Sequence, residues 1–223
     1  MSEDGTFLPA IAFFDLDGTL VQGQTQVLLV KFLRRAGVVS AGFVLGTALW
    51  FLAYKAHLVK VTQEAREKGA RVLAGLTTDQ VQGLAARFAD EVMLPRLHAG
   101  ATAALAEHQR QGHQVVVLSA ALSPVVEAFC QRLGVSEWAG ASCEVAEGCY
   151  TGRLSGPMPH GPEKARWAKA YAERHGVDLA DCWAYADHET DLDLLCLVGH
   201  PVAVSPKPGL REEALKAGWP VLT

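Results

Sequence analysis

The chain has 223 residues, half of them apolar and a fifth charged, with a formal net charge of −4. That content can fill the core of one large domain, or of a core domain with a smaller insert. It holds no long basic run, which excludes the electrostatic footprint of a nucleic-acid-binding protein. Cys130, Cys143, Cys149, Cys182 and Cys196 are an odd set without a C-x-x-C pair, so we expect a reducing compartment and no disulfide framework. Residues 1–9 are polar and acidic, without the basic-then-apolar order of a signal peptide, which makes the cytoplasm the expected location.

Residues 10–16 (AIAFFDL) are a short apolar run that ends in carboxylates and Gly18, as a buried parallel strand entering a functional loop does. From Thr25 to about Arg96 the patterns are helical, over residues 62–73 and over residues 77–93, where TTDQ is a capping-type start. Within this stretch residues 38–54 carry no charge, which fits a buried helical hairpin or a dimer contact. Contact with a membrane surface is an option the sequence does not favour, and the run is at the short edge of what a spanning helix needs.

After Pro95 strands and helices alternate. Helices are expected over residues 101–111, 124–133, 162–175 and 191–198, with another ending at Ala217. Strands are expected over residues 114–118, 182–186, 201–204 and 219–222, with a hairpin turning at Glu147-Gly148. Such alternation implies a doubly wound parallel sheet of the α/β, Rossmann-like class, with functional groups at the carboxyl ends of the strands. The helical stretch then reads as an inserted cap, residues 22–96, in a core made of residues 1–21 and 97–223.

Asp15 and Asp17 follow the first strand two residues apart, so an extended backbone puts both side chains on one face. Carboxylates that close need a cation or a shared proton, and magnesium is a natural oxygen-seeking cation. One carboxylate can attack phosphorus while the other handles the leaving-group proton. Gly18 would let backbone approach a phosphate, and Thr19 offers a hydroxyl donor. A second acidic group, Asp187 and Asp191, follows another buried strand. It can complete a hard-metal site, although Asp191 could equally cap a helix. Glu189 and Asp193 read as solvated, and His188 as either a substrate contact or an exposed side chain without a role. Ser119 stands between a strand and a helix, where it could bind phosphate oxygens or simply cap. Lys164 is an odd charge for a helix start, either a surface lysine or one that faces phosphate or Asp15.

In this order FFDLDGTL, VVVLSAAL, HGPEK and YADHETD resemble the four motifs of the haloacid dehalogenase superfamily, subfamily IB, the phosphoserine-phosphatase-like hydrolases. The resemblance covers the core on both sides of the cap. It implies a magnesium-dependent phosphomonoesterase with Asp15 as nucleophile and Asp17 as general acid, then base. It further implies Mg2+ held by the Asp15 side chain, the Asp17 carbonyl oxygen and Asp187, with Asp191 as ligand or neighbour. Ser119 and Lys164 would bind the transferring phosphoryl group.

Two departures bear on substrate. Phosphoserine phosphatases place an acidic residue seven positions after the second aspartate, but here Gln24 stands there and Gln26 nearby is also neutral, which weakens pairing with an ammonium group. Ala120 replaces a common glycine in the second motif. Arg66 or Arg71 of the cap could grip a substrate carboxylate. The expected partner is a small phosphomonoester of the phosphoserine or histidinol phosphate kind, with a lipid phosphate as the alternative and a non-catalytic phosphate binder as a third reading. The chain would act as a monomer or homodimer.

Overall fold

The computed structural model describes residues 10–40, 42, 46 and 69–223. Strand β1 (Ile11–Asp15) is buried along its whole length, and its side chains part by turns between two cores. Ala12 and Phe14 enter one hydrophobic cluster, Ile11 and Phe13 the other. In β2 (Gln114–Leu122), Val115 and Val117 follow the first pattern, Val116 and Leu118 the second. Both sheet faces are therefore covered, which is the condition a parallel sheet needs.

The sheet has six strands in the order β3-β2-β1-β6-β7-β8. They include β3 (Glu137–Ala141), β6 (Trp183–Ala186), β7 (His200–Val204) and β8 (Val221–Leu222), and every pairing is parallel. Because β1 pairs with β2 on one side and β6 on the other, strand order reverses beside β1, and a crevice opens beyond its carboxyl end.

One face is covered by α1 (Thr25–Arg35), α2 (Thr78–Phe88), α3 (Ala99–Arg110) and α4 (Ser123–Arg132) through residues such as Leu33, Phe88, Leu105 and Phe129. The other is covered by α5 (Pro162–His175), the short α6 (Leu192–Leu195) and α7 (Pro208–Ala217) through Tyr171, Leu195 and Leu210. Among the described residues no helix is long and apolar enough to cross a membrane. Most of the uncharged 38–54 run lies outside the described residues. All five cysteines are free thiols.

Several local expectations meet their physical cause. Thr77 accepts from the Gln80 amide while the Gln80 side chain accepts from the Thr77 amide, a capping box at the start of α2. Glu147 and Gly148 both have positive φ, 51° and 76°, the conformation of a tight hairpin turn between β4 (Cys143–Ala146) and β5 (Cys149–Leu154). Other boundaries differ. Strand β3 was not expected, because EWAGA lacks a run of β-branched or aromatic residues. It is held instead by parallel pairing with β2, and it packs so closely on α4 that a Cβ on Gly140 would lie 2.9 Å from Ser123 Cα and 3.0 Å from the Ala121 carbonyl oxygen. The 191–198 helix shortens to a 3-10 turn (Glu189–Asp191) and α6, and the 77–93 helix ends in a π turn (Ala89–Met93). Of the expected 62–73 helix, residues 70–73 form a 3-10 turn, and residues 62–68 lie outside the described residues.

Residues 70–96 pack as part of the same hydrophobic cluster as β1 and β2, through Val72, Leu73, Val81, Phe88 and Met93. Polar contacts reinforce that packing. Gly75 donates to the Tyr150 carbonyl at 2.8 Å and Tyr150 donates back to Leu76 at 2.9 Å. Arg132 of α4 grips Asp90 through two hydrogen bonds of 2.9 and 3.0 Å.

At the opposite end of the sheet from the crevice, His108 is buried between His113 (Nδ1 to Nδ1, 2.8 Å) and the Tyr185 hydroxyl (2.8 Å). Burial pushes its pKa down to about 4, His113 adds to the shift, and Glu107 opposes it. The folded protein therefore keeps His108 neutral while the unfolded chain takes up a proton below its ordinary pKa near 6.5. This part of the stability is intact above pH ~6.5 and is lost as pH falls toward ~4, with a slope of at most about 1.4 kcal/mol per unit. His108→Gln keeps a polar side chain and removes the titration. Urea unfolding between these pH values should show a shallower loss of stability in the variant, and an unchanged slope would assign the loss to other groups.

Candidate active site

Asp15 ends β1 inside the crevice, only 6% exposed. Both of its oxygens are engaged: Oδ1 accepts from Lys164 Nζ at 2.5 Å and Oδ2 accepts from the Thr19 hydroxyl at 3.0 Å. The chain folds back at once, with Gly18 donating to the Val21 carbonyl and Val21 donating to Leu16, so Thr19 is turned inward beneath Asp15. Its hydroxyl is thus committed to the aspartate.

Asp17 diverges from its neighbour. Its carboxylate accepts from the Thr25 amide at 2.7 Å and the Thr25 hydroxyl at 3.0 Å, which places it at the amino end of α1. Gln24, the residue before α1, makes no capping bond with its side chain and is exposed, so Asp17 supplies the negative end that the helix dipole favours. Burial and the charge on Asp15 outweigh the Thr25 bonds and push the Asp17 pKa up to about 6.

Gly18 is constrained twice. Its φ is +84°, and a Cβ there would lie 2.1 Å from Asp187 Oδ2. The close approach that requires glycine is thus to a carboxylate at the tip of β6, where the sequence suggested a phosphate. Asp187 is 4% exposed, and its Oδ2 accepts from Lys207 Nζ at 3.0 Å. Burial raises its pKa, Lys207 lowers it, and Asp15 raises it further.

Lys164 sits in the first turn of α5 and is buried. Its ammonium bridges Asp15 Oδ1 and Asp191 Oδ2, the latter at 2.7 Å. Burial alone would lower the lysine pKa, yet the two carboxylates overcome it and hold the ammonium charged. Asp191 is buried and pushed up to about 6, mostly by desolvation, with Lys164 opposing and Asp15 adding to the shift. The alternative that Lys164 lies on the surface is thereby removed.

The remaining candidates separate. Ser119 is buried in β2, and its hydroxyl accepts from the Ala121 amide at 3.0 Å beside half-buried Ala120. His188 Nδ1 accepts from the Thr190 amide at 3.1 Å, capping the 3-10 turn, while Glu189 and Asp193 are exposed. Arg66 lies outside the described residues, and Arg71 is exposed on a 3-10 turn. Two participants escaped sequence reasoning: Thr25, which holds Asp17, and Lys207, which holds Asp187. Lys207 had a legible signal, since it is a cation at a helix start as Lys164 is.

Four carboxylates (Asp15, Asp17, Asp187, Asp191) thus share the crevice with two ammonium groups (Lys164, Lys207). Among the described residues, no three His, Cys, Asp or Glu side chains stand as a finished metal cage. What the geometry offers is a buried carboxylate fixed by two donors, with a second carboxylate that titrates near neutrality next to it.

Comparison with known proteins agrees with this chemistry. Residues 12–195 match the haloacid dehalogenase-like hydrolases. The "Inhibition of morphological differentiation protein" of Streptomyces azureus is 32% identical over 95% of this chain and 77% of its own length. Phosphoserine phosphatase SerB1 of Mycobacterium tuberculosis is 31% identical over 96% of this chain and 70% of its own. A histidinol-phosphatase of Neisseria meningitidis is 26% identical over 95% and 97%. Among solved structures, a protein with unknown function from Bordetella pertussis Tohama I superposes with a TM-score of 0.87, at 26% identity, covering 97% of this chain and 99% of that one. The chain belongs to the haloacid dehalogenase-like hydrolases and is a phosphatase of their phosphoserine-phosphatase-like branch.

Replacing Lys164 with Met should leave Asp15 and Asp191 buried without their counter-charge, a loss of about 3–5 kcal/mol. Urea unfolding at pH 7 measures it. A loss below about 1 kcal/mol, the range of exposed pairs, would mean that solvent reaches these carboxylates.

Proposed function

We propose that this phosphatase hydrolyses a small soluble phosphomonoester through an aspartyl-phosphate on Asp15, with a divalent cation of the magnesium kind. The observation that carries the reading is the double hold on Asp15, with Lys164 on one oxygen and Thr19 on the other. A carboxylate with both oxygens fixed loses little freedom on attack, and phosphoryl transfer depends mostly on positioning and charge neutralisation.

Asp15 attacks phosphorus as the bond to the leaving oxygen breaks, and Asp17 delivers a proton to that oxygen. Asp17 then takes a proton from the water that attacks the aspartyl-phosphate, which releases inorganic phosphate and regenerates the Asp15 carboxylate. A carboxyl pushed up to about 6 suits both directions. Lys164 and Ser119 bind oxygens of the transferring group.

The donor set fits a hard cation: all its charged donors are oxygens, and its carboxylates outnumber its ammonium groups. Asp15, the Asp17 carbonyl oxygen and Asp187 would hold it, with Asp191 beside them. When bound it supplies positive charge to the phosphoryl oxygens. The inserted stretch 22–96 is the expected cap. At its rim the neutral, exposed Gln24 favours substrates that need no acidic partner for an ammonium group. Phosphoserine and histidinol phosphate define the size class.

Phosphate release from a phosphomonoester panel tests the proposal, with magnesium or chelator, for wild type and Asp15→Asn. The panel holds phosphoserine, histidinol phosphate, sugar phosphates and lysophosphatidic acid. Turnover should need metal and fall roughly 10³-fold or more in the variant. Preference for the lipid member would overturn the soluble-substrate part, and activity retained in Asp15→Asn would overturn the mechanism.

A further inference from the structure

Lys207 is the participant that no motif assigned, and its placement runs against local preference. It is the residue before α7, whose first turn holds no acidic residue, and a cation there opposes the helix dipole. It is also stiffly presented. Pro206 and Pro208 flank it, and its φ and ψ of −65° and 160° are those demanded of a residue before proline. Two residues before Lys207, Ser205 has φ +38°, a left-handed conformation that is costly for a residue with a side chain.

That strain is held by a defined contact. His98 Nδ1 accepts from the Ala101 amide at 3.2 Å, so the ring proton of its neutral form sits on Nε2 and is donated to Ser205 Oγ at 2.9 Å. The Ser205 amide donates to the Leu222 carbonyl at 2.7 Å and the Lys207 amide to the Asp187 carbonyl at 2.9 Å. The loop from Ser205 to Pro208 is therefore fixed on both sides. Its outcome is an ammonium 3.0 Å from Asp187 Oδ2, the oxygen that also lies against Gly18. Lys207 itself is 46% exposed while Asp187 is nearly buried, so the ammonium can withdraw to solvent but the carboxylate cannot.

We infer that Lys207 is a positioning residue that neutralises and orients Asp187 in the metal-free enzyme and yields that carboxylate when the cation arrives. Ammonium and metal compete for Asp187, and the apparent affinity for metal is lowered by the fraction of molecules in which Lys207 is seated. The inference rests on the reading above that Asp187 is a metal ligand.

Magnesium titration by calorimetry and thermal unfolding with and without magnesium test it on the full chain, for wild type, Lys207→Gln and Lys207→Arg. Lys207→Gln should bind magnesium about fivefold more tightly, as an ion pair of this exposure can account for. Its metal-free Tm should fall, because Asp187 is left unpaired, and the difference from wild type should close at saturating magnesium. Lys207→Arg, which keeps the charge, should restore both values toward wild type. Unchanged or weaker binding in Lys207→Gln overturns the inference, as does a Tm difference that persists at saturation. Absence of magnesium binding in wild type would instead overturn the metal reading itself, and the inference with it.

Discussion

A lysine ammonium buried between two aspartates organises the crevice. Lys164 reaches from the first turn of α5 to Asp15 on β1 and to Asp191 before α6, so three separate stretches of chain meet at one nitrogen. Neither partner is tolerable alone in that setting, because an isolated buried charge costs far more than the pair. The arrangement therefore forces the carboxyl end of β1, the start of α5 and the loop after β6 into one register. Parallel strand order puts Asp15 and Asp187 on adjacent strand tips, and the lysine decides how they are spaced and held.

The remaining contacts serve the separation of like charges. Asp15 and Asp17 are two residues apart, yet Thr25 draws the second carboxylate toward the amino end of α1 while Thr19 and Lys164 retain the first. Two chemically identical groups thereby acquire different environments, one gripped by Lys164 and Thr19 and the other pushed up to about 6 by burial and its neighbour's charge. Division of labour between paired carboxylates requires this kind of environmental difference. Gly18 makes it compact: without a side chain there, Asp187 can close against the loop that carries both aspartates.

How much of this was legible depended on whether the signal was local. The strand IAFFD, the Thr77–Gln80 capping box and the Glu147-Gly148 turn are written in short-range chemistry and were found where expected. Asp15, Asp17 and Asp187 also stand together in the crevice, as carboxylates at the tips of apolar strands suggested, whereas Lys164 by its local setting read as readily as a surface residue. Strand β3 was not legible, since EWAGA owes its extended form to pairing with β2 rather than to its own propensity. Nor were the partners of the site residues. That Thr25 holds Asp17, or that Gly18 faces a carboxylate, depends on contacts between segments far apart in sequence. Lys207 lies between these cases, odd in its local setting but explained only by a residue twenty positions away.

The pairing of residues 75–78 with the β4–β5 hairpin has a consequence for how such enzymes can be recombined. Residues 75–78 are hydrogen-bonded to a hairpin that the chain supplies some seventy residues later, and Arg132 binds Asp90 from 42 residues away. Residues 70–96 are continuous in sequence, but the segments that hold them are not. A chimera that exchanged residues 22–96 alone would bring in foreign backbone donors opposite Tyr150 and Gly148, and Arg132 would face an unmatched partner. Residues 70–96 would therefore keep their contacts only if exchanged together with the hairpin and α4, rather than as one cassette.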